Sequence, residues 1–521
     1  MIRSSFYLKR SLTSNLNRLN GQCKHNVNLR RYSQRIIPEI NAGQPLYETR
    51  PHMLRPGELT PGITALEYFE RRLKLGVKMK KGSVAVIPGN QVKYASGAVF
   101  YKFQQNTDLF YLTGWEEPDS VALIEHLEDE SLDPADRIIL HMIVPPKDAH
   151  TEQWEGFRTG VNGAVEIFNA DEGASNKDLK QYISKIVQRY DTVYFDQNFA
   201  GTNSGSSIFK SFFSISEKGP QWDTISDVVK SSKSQIKSLT SLVRDLRAKK
   251  SNAEIDLIRT AGKISGRAYN EAYANRFKNE RTLASFLEHK FISGGCDGHA
   301  YVPVVAGGPN ALSIHYTRND DVFYDDELVL VDAGGKLAGY RADISRTWPI
   351  SGKFTDPQRD LYQAVLNVNK ECIKMCRADS GKSLHDIHLK SVDLLLKELI
   401  QLPGLGDLKY WDVTKLYPHY VGHNLGLDVH DIPSYSRSAP LIENQVITIE
   451  PGVYFPLNDT SLPSYYRGIG IRVEDNVAIG WDTNTVLTTE AAKEIIDIET
   501  IAENGLSSPY KSDIVDILEQ D

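Results

Sequence analysis

Five short segments in the second half of the chain end an apolar run or a glycine-rich bend on a carboxylate or an imidazole, and they constrain the fold more tightly than any other feature. In "LVLVDAGG", Asp332 ends a β-strand made of apolar residues, where a carboxylate is out of place unless something positive meets it. In "GYRADISRTWP", Asp343 follows 11 residues later. The midpoint falls inside "GGKLAGY", whose Gly334, Gly335 and Gly339 suit a turn. A hairpin centred between Leu337 and Ala338 is therefore expected to set the two aspartates side by side. In "HYVGHNLGLDVHD", His419, His423 and His430 cluster among Gly422 and Gly426. In "VITIEPGVY", Glu450 ends a strand before Pro451-Gly452. In "GIGIRVEDN", strand alternation puts Arg472 and Glu474 on one face.

Asp332, Asp343, His423, Glu450 and Glu474 together carry four negative charges. Carboxylates gathered so closely repel unless a proton or cation lies between them. Two divalent cations with a bridging hydroxide would nearly balance the set. Oxygen-rich ligation with one imidazole suits Mn²⁺, Fe²⁺ or Co²⁺ better than a thiolate-selected metal, with Zn²⁺ also compatible, and Mn²⁺ is the expectation. Two such ions about 3.5–4 Å apart would supply a hydroxide at neutral pH and clamp a tetrahedral intermediate. His315, His419 and His430 are candidates to bind substrate and to stabilise the developing oxyanion. Each residue alone has a plainer explanation: a cap, a turn, a satisfied core histidine. Five in one domain, all at strand ends or glycine bends, do not.

The rest of the chain sets bounds. At 521 residues it is too long for one core. No apolar run approaches the ~20 residues that span a bilayer, although peripheral attachment remains open. Its four cysteines, Cys23, Cys296, Cys372 and Cys376, are too few and too irregular for a disulfide framework. Cys372 and Cys376 are expected as buried packing. Residues 1 to 38 hold eight Lys and Arg and no acid, so the remainder carries 52 basic against 67 acidic residues. A basic, Ser-containing, acid-free leader with Phe6, Tyr7, Leu8, Leu12 and Leu16 on an apolar face reads as a mitochondrial presequence. Nothing downstream offers a basic surface for nucleic acid.

Organisation along the chain follows. A presequence is expected over residues 1–35, then a connector over 36–63 broken by Pro38, Pro45, Pro51, Pro56 and Pro61. An α/β domain is expected over 64–235, opening with the amphipathic helix "ALEYFERRLKLGVKM" and the strand "SVAVIPG". Further strands are expected at Phe110–Leu112, Val121–Ile124, Ile138–Ile143 and Thr192–Phe195. A helical entry from Ser238 leads into a second domain over 236–500, and residues 501–521 are expected as an acidic tail.

"VDAGG", "ADISRTWP", "GHNLGLDVHD", "TIEPGVY" and "IRVEDN", in this order, resemble the pita-bread metallopeptidases, and within them the aminopeptidase P and prolidase branch. The likeness covers about Ser238 to Ile498, and "YKFQQNTDLFYLTGWEEPDSVALI" resembles the segment that aminopeptidase P carries ahead of its catalytic half. The resemblance implies an α+β fold, an N-terminal α/β domain followed by a pita-bread catalytic domain. It implies that Asp332, Asp343, His423, Glu450 and Glu474 bind metal, and that His315, His419, His430, Tyr454 and Arg472 serve substrate binding and proton handling. Methionine aminopeptidase shares the catalytic half but generally lacks a counterpart to residues 64–230. The segment "GQPLYETRPHMLRPGELTPGITALEYFERR" is similar to the mitochondrial members of the branch, the intermediate-cleaving peptidases, which remove a single residue left after presequence cleavage.

The function expected is therefore a mitochondrial aminopeptidase, in the matrix or at the inner membrane, that removes one bulky N-terminal residue (Tyr, Leu or Phe) from proteins. Glu450 would shuttle the proton, with His430 and His315 stabilising the intermediate or positioning substrate. Two other readings compete: an Xaa-Pro aminopeptidase or prolidase, and a non-catalytic protein that holds a partner's N-terminus. Residues Phe455 to Arg467 are expected to form a loop bordering the cleft. The leader reads Arg30-Arg31-Tyr32-Ser33, so a cut after Arg31 and loss of Tyr32 would leave Ser33 as the mature start. A homo-oligomer is compatible with all of this.

Overall fold

A computed structural model describes residues 41–196 and 220–518. The expected presequence, and its Arg31-Tyr32-Ser33 processing point, lie outside the described residues. The chain divides into two compact units, one of residues 41–51, 64–196 and 220–242, the other of 52–63 and 243–518. No described helix is long and apolar enough to cross a membrane.

In the first unit, helix α1 (Ala65–Lys78) starts where the Thr64 hydroxyl accepts from the Glu67 amide. Strands β1 (Ser83–Pro88), β2 (Val121–His126), β3 (Ile138–Val144), β4 (Glu172–Ser175), β5 (Thr192–Tyr194) and β6 (Gln235–Lys237) form one mixed sheet in the order β6-β5-β1-β2-β3-β4. Helices α3 (Leu179–Val187) and α4 (Pro220–Ser231) bury Ile183, Ile186, Val187, Ile225 and Val229 against Val84, Val86, Leu123 and Val193 of the sheet.

One expected strand is absent. Phe110–Leu112 lies inside helix α2 (Thr107–Thr113). Asn106 Oδ1 accepts from the amides of Asp108 and Leu109, and Gly114 ends the helix at φ 70°. Every residue from Leu109 to Thr113 is buried, so the run shows no period and the caps decide. Arg71 and Arg72 of α1 donate to the carbonyls of Tyr111 and Leu112.

In the second unit, α5 (Asn252–Tyr273) and α6 (Glu280–Ser293) pack beside the antiparallel sheet β7 (Val304–Gly307), β8 (Leu328–Asp332) and β9 (Ser345–Pro349). Then come α7 (Asp356–Lys374), α8 (Leu384–Leu399) and a second sheet. Its strands are β10 (Val446–Ile449), β13 (Asp475–Ile479) and β14 (Asn484–Val486), while β11 (Gly452–Tyr454) pairs separately with β12 (Gly470–Arg472). Tyr269 of α5 is fully buried, and its hydroxyl donates to the Ile344 carbonyl at 2.6 Å and accepts from the Ala333 amide at 3.0 Å. That one hydroxyl ties the exit of β8 to the entry of β9. Cys372 and Cys376 are both buried on and just after α7, as packing residues.

Helix α9 (Ile495–Asn504) runs past residue 500, where the tail was expected to begin. The segment after it lies against the unit: Ile517 is buried, the Ile514 amide donates to the Ser293 carbonyl, and Arg55 pairs with Asp516 at 2.9 Å.

Candidate metal centre

The two aspartates come together, but not through the pairing expected. The hairpin turns one residue later: Leu337 pairs with Tyr340 around Ala338 and Gly339, both at positive φ. In that register Asp332 faces Ser345, not Asp343. Backbone bonds continue through Ala342, whose amide donates to the Gly335 carbonyl, and Ile344, whose carbonyl accepts from the Ala333 amide, while the Asn476 side chain takes up Asp343 by accepting from its amide at 3.0 Å and donating to its carbonyl. Tyr301, just before β7, completes the approach. Its hydroxyl lies 2.6 Å from Asp332 Oδ1 and 2.5 Å from Asp343 Oδ1. A phenol has one proton and cannot donate to both, so this crowding calls for a positive charge nearby.

The other candidate ligands converge from the ends of the second sheet's strands and from the loop that carries His423. Glu474 lies in the link between β12 and β13; it is 1% exposed, and its Oε2 accepts from Ser345 Oγ at 2.7 Å. Glu450 follows β10, with its amide bonded to the Val421 carbonyl. His423 presents Nε2 at 3.4 Å from Asp343 Oδ2 and 3.8 Å from Glu450 Oε1. Its Nδ1 faces the Asn424 carbonyl at 2.9 Å, the arrangement that frees Nε2 for coordination. Ligand atoms of Asp343, His423 and Glu474 all lie within 4.8 Å of one another.

The charges agree with the geometry. Burial pushes Glu450 up to about 7, with Asp343 and Asp332 adding to it against His423 and Arg472. Burial likewise raises Asp332, and it raises Glu474 well above the carboxylate range with help from Asp343 and Glu450. His423 moves the other way: burial opposes its charge, yet Asp343 and Glu450 hold it up to about 9. Four carboxylates and one imidazole, mostly buried and short of positive charge, fit divalent cations.

A second layer surrounds this set. Arg472 is 1% exposed; it donates to Asp332 Oδ2 at 2.7 Å, to the Tyr454 hydroxyl at 2.7 Å and to Ser345 Oγ at 2.8 Å. The Tyr454 hydroxyl also meets His419 Nε2 at 2.9 Å. Burial, then the Arg472 charge, lower His419 to about 3, so its ring is neutral. The His430 ring stands edge-on to His423, 4.4 Å between centroids. His315 is exposed after the turn Gly308–Leu312, near enough that its charge opposes protonation of His419. Buried Glu280 organises that segment by accepting from the amides of Gly307 and Asp321, the Asn310 side chain and the Tyr316 hydroxyl.

Tyr301, Ser345, Asn476 and Glu280 were not singled out from sequence. Each acts through a hydroxyl, amide or carboxylate whose partner is distant in the chain, and no local spacing marks them. Tyr301→Phe is expected to weaken divalent-cation binding by about 10–100-fold, as loss of an outer hydrogen bond to metal ligands does. Calorimetric titration with Mn²⁺ measures it, and unchanged affinity would reduce Tyr301 to a space-filler.

Comparison with known proteins decides the family. Residues 256–480 match metallopeptidase family M24, and residues 68–194 match the N-terminal domain of aminopeptidase P. The chain is 55% identical over 485 residues to intermediate cleaving peptidase 55 of Saccharomyces cerevisiae, covering 93% of each protein. The chain belongs to metallopeptidase family M24. It is also 35% identical to human Xaa-Pro aminopeptidase 3, over 91% of this chain and 94% of that one. A crystal structure of the yeast peptidase lacking its N-terminal 58 residues matches with a TM-score of 0.77 at 54% identity, covering 86% of this chain and all of that one. Zinc-substituted Escherichia coli aminopeptidase P in complex with product matches with a TM-score of 0.76 at 27% identity, over the same shares. The fold is that of the two-domain aminopeptidases P, an N-terminal domain followed by a pita-bread catalytic domain, and the protein is a metallopeptidase that requires divalent metal.

Proposed function

We propose that this chain is a mitochondrial aminopeptidase that removes one residue from proteins whose presequence has just been cut. The observation that carries the reading is the convergence of Asp343, His423 and Glu474, with Glu450 facing His423, Asp332 held by Arg472, and neutral His419 and the Arg472–Tyr454 pair beside them. The name of the yeast relative and the basic leader of residues 1–38 support the choice of substrate and of compartment, as does a mitochondrial intermediate cleaving peptidase 55 of Arabidopsis thaliana at 35% identity.

Asp332, Asp343, His423, Glu450 and Glu474 would hold two cations, with Mn²⁺ the ion we favour. A bound pair supplies Lewis acidity and a water acidic enough to lose its proton near neutral pH. Glu450, which faces both His419 and His423, would take up a proton and return it to the leaving amine. His419 holds the Tyr454 hydroxyl, and Arg472 fixes both that hydroxyl and Asp332. His430 and His315 border the site and orient the substrate carbonyl. We assign the basic leader within residues 1–35 as the presequence, with Ser33 as the mature start, and the loop Phe455 to Arg467 as a border of the cleft. Sequencing the mature N-terminus tests the start, and a terminus far from Ser33 sinks it.

The Xaa-Pro reading is the alternative, because the human relative at 35% identity carries that name. Protein beginning at Ser33, loaded with Mn²⁺, separates the two when offered Tyr-Ser-Gln-Arg and Tyr-Pro-Gln-Arg, with Asp332→Ala as control. Faster tyrosine release from the Ser peptide is the expected result. Release from the Pro peptide alone would make the enzyme proline-specific, and no release from either with metal bound would favour a binding protein.

A further inference from the structure

The loop from His423 to Ile432 carries two of the histidines of the site, and its far end is built around a charge that the chemistry above does not use. Asp431 is 2% exposed. Its Oδ1 pairs with Arg247 and its Oδ2 with Lys250 at 2.9 Å, and both cations are themselves buried. Arg247 reaches Asp428 as well, at 2.7 Å, and Lys250 donates to the Arg247 carbonyl at 2.8 Å. The Asp431 amide donates to the Asn424 carbonyl, the same oxygen that faces His423 Nδ1, so the loop is closed on itself. Gly426 leaves room for the arrangement: a Cβ there would stand 2.6 Å from Asp431 Oδ2 and 3.1 Å from Lys250 Cε.

The next residue shows that this anchoring carries a load. Ile432 has φ +44°, a left-handed conformation that a β-branched side chain strongly disfavours. Its side chain is 5% exposed, so it is buried in that conformation. A strained backbone persists only where its surroundings over-determine it. A buried ion cluster of this kind is weak evidence for stability, since apolar replacements are often at least as stable. Geometry is what it fixes here, and His430, whose ring stands against His423, lies inside the closed loop two residues before the strained turn.

We propose that Asp431 is a positioning residue: seated between Arg247 and Lys250, its carboxylate fixes the turn through Ile432 and thereby aims the His430 ring at the metal centre. The inference rests on the reading of His430 as a substrate-side group. Asp431→Asn, His430→Ala and the double variant of the full chain, loaded with Mn²⁺, test it through kcat, KM and bound metal. The expected result is that Asp431→Asn lowers kcat by about 100-fold, as a displacement near 1 Å can, with KM little changed and metal content intact. In the His430→Ala background the same substitution should lower kcat no further, because its effect passes through the absent ring. A normal kcat in Asp431→Asn beside an impaired His430→Ala overturns the inference and leaves the site reading standing. So does a further drop in the double variant, or a loss explained by missing metal. A normal kcat in His430→Ala defeats both. If Asp431→Asn does not fold, Lys250→Met keeps the Arg247 pair and is read by the same cycle.

Discussion

Glu450→Gln is expected to lower kcat by about 10³-fold while leaving the fold intact, a proton-transfer group contributing on the order of 10²–10⁴-fold. The substitution keeps the shape of the side chain and removes its negative charge together with its ability to take a proton. Burial pushes Glu450 up to about 7, with Asp343 and Asp332 adding to it. Glu450 faces His423 of the inner set and His419 of the second layer, with Oε2 at 3.8 Å from His419 Nδ1 and Oε1 at 3.8 Å from His423 Nε2. A neutral amide also relieves carboxylate repulsion, so the signs of two effects separate. Divalent-cation affinity should fall, because one anionic ligand is lost. The melting temperature in chelator should stay level or rise, because fewer like charges are packed together. Single-turnover peptide cleavage at saturating Mn²⁺, with melts in EDTA and in metal, reads all three. Retained turnover at saturating metal would remove Glu450 from proton transfer and leave it a ligand at most.

The candidate ligands stand out in the sequence because a carboxylate at the end of an apolar strand has few innocent explanations. Asp332 and Glu450 stand where β8 and β10 end, and the hairpin needed to bring Asp343 back is marked by its glycines. The turn itself was placed one residue early: both candidate centres lie in the same glycine-rich stretch, and a one-residue change in the centre moves the partner of Asp332 from Asp343 to Ser345. Spacing alone does not distinguish them. Tyr301, the group that touches both aspartates, comes from 31 and 42 residues away and has no local signature. The strand expected at Phe110–Leu112 failed for a different reason. A short run buried on every side looks alike as helix or strand, and the informative residues were its caps, Asn106 and Gly114. The tail reading failed because composition reports solvent preference residue by residue, whereas Ile514 and Ile517 hold their segment down by one backbone bond and one buried side chain.

Arg346→Met is expected to destabilise the protein by about 3–5 kcal/mol, the cost of breaking a buried ion pair from one side. Arg346 is fully buried on β9, between the two sheets of the second unit. Its Nη2 pairs with Asp475 at 2.8 Å and donates to the Ala491 carbonyl at 2.9 Å, while Nη1 donates to the carbonyls of Ser345 and Glu474. One planar group thus serves four acceptors that belong to three separate stretches of chain. Asp475, 1% exposed, keeps Lys493 at 2.6 Å and the Thr488 hydroxyl, so it is not wholly orphaned, but the Glu474 and Ala491 carbonyls lose their donor and the Ser345 carbonyl keeps only the Glu474 amide. Arg346→Lys should recover only part of the loss, because an ammonium is a point donor and cannot span the fork. Arg346→Met with Asp475→Leu should be less destabilised than Arg346→Met alone, since removing both charges leaves no anion short of its partner. Urea unfolding of the three variants checks the order, with the midpoint shift read at constant slope. The consequence reaches the metal centre: Arg346 holds the carbonyl of Glu474, and the Glu474 amide bonds Ser345, whose hydroxyl donates to the Glu474 carboxylate. A loss of stability without any loss of cation affinity would show that the ligand is fixed by Ser345 alone.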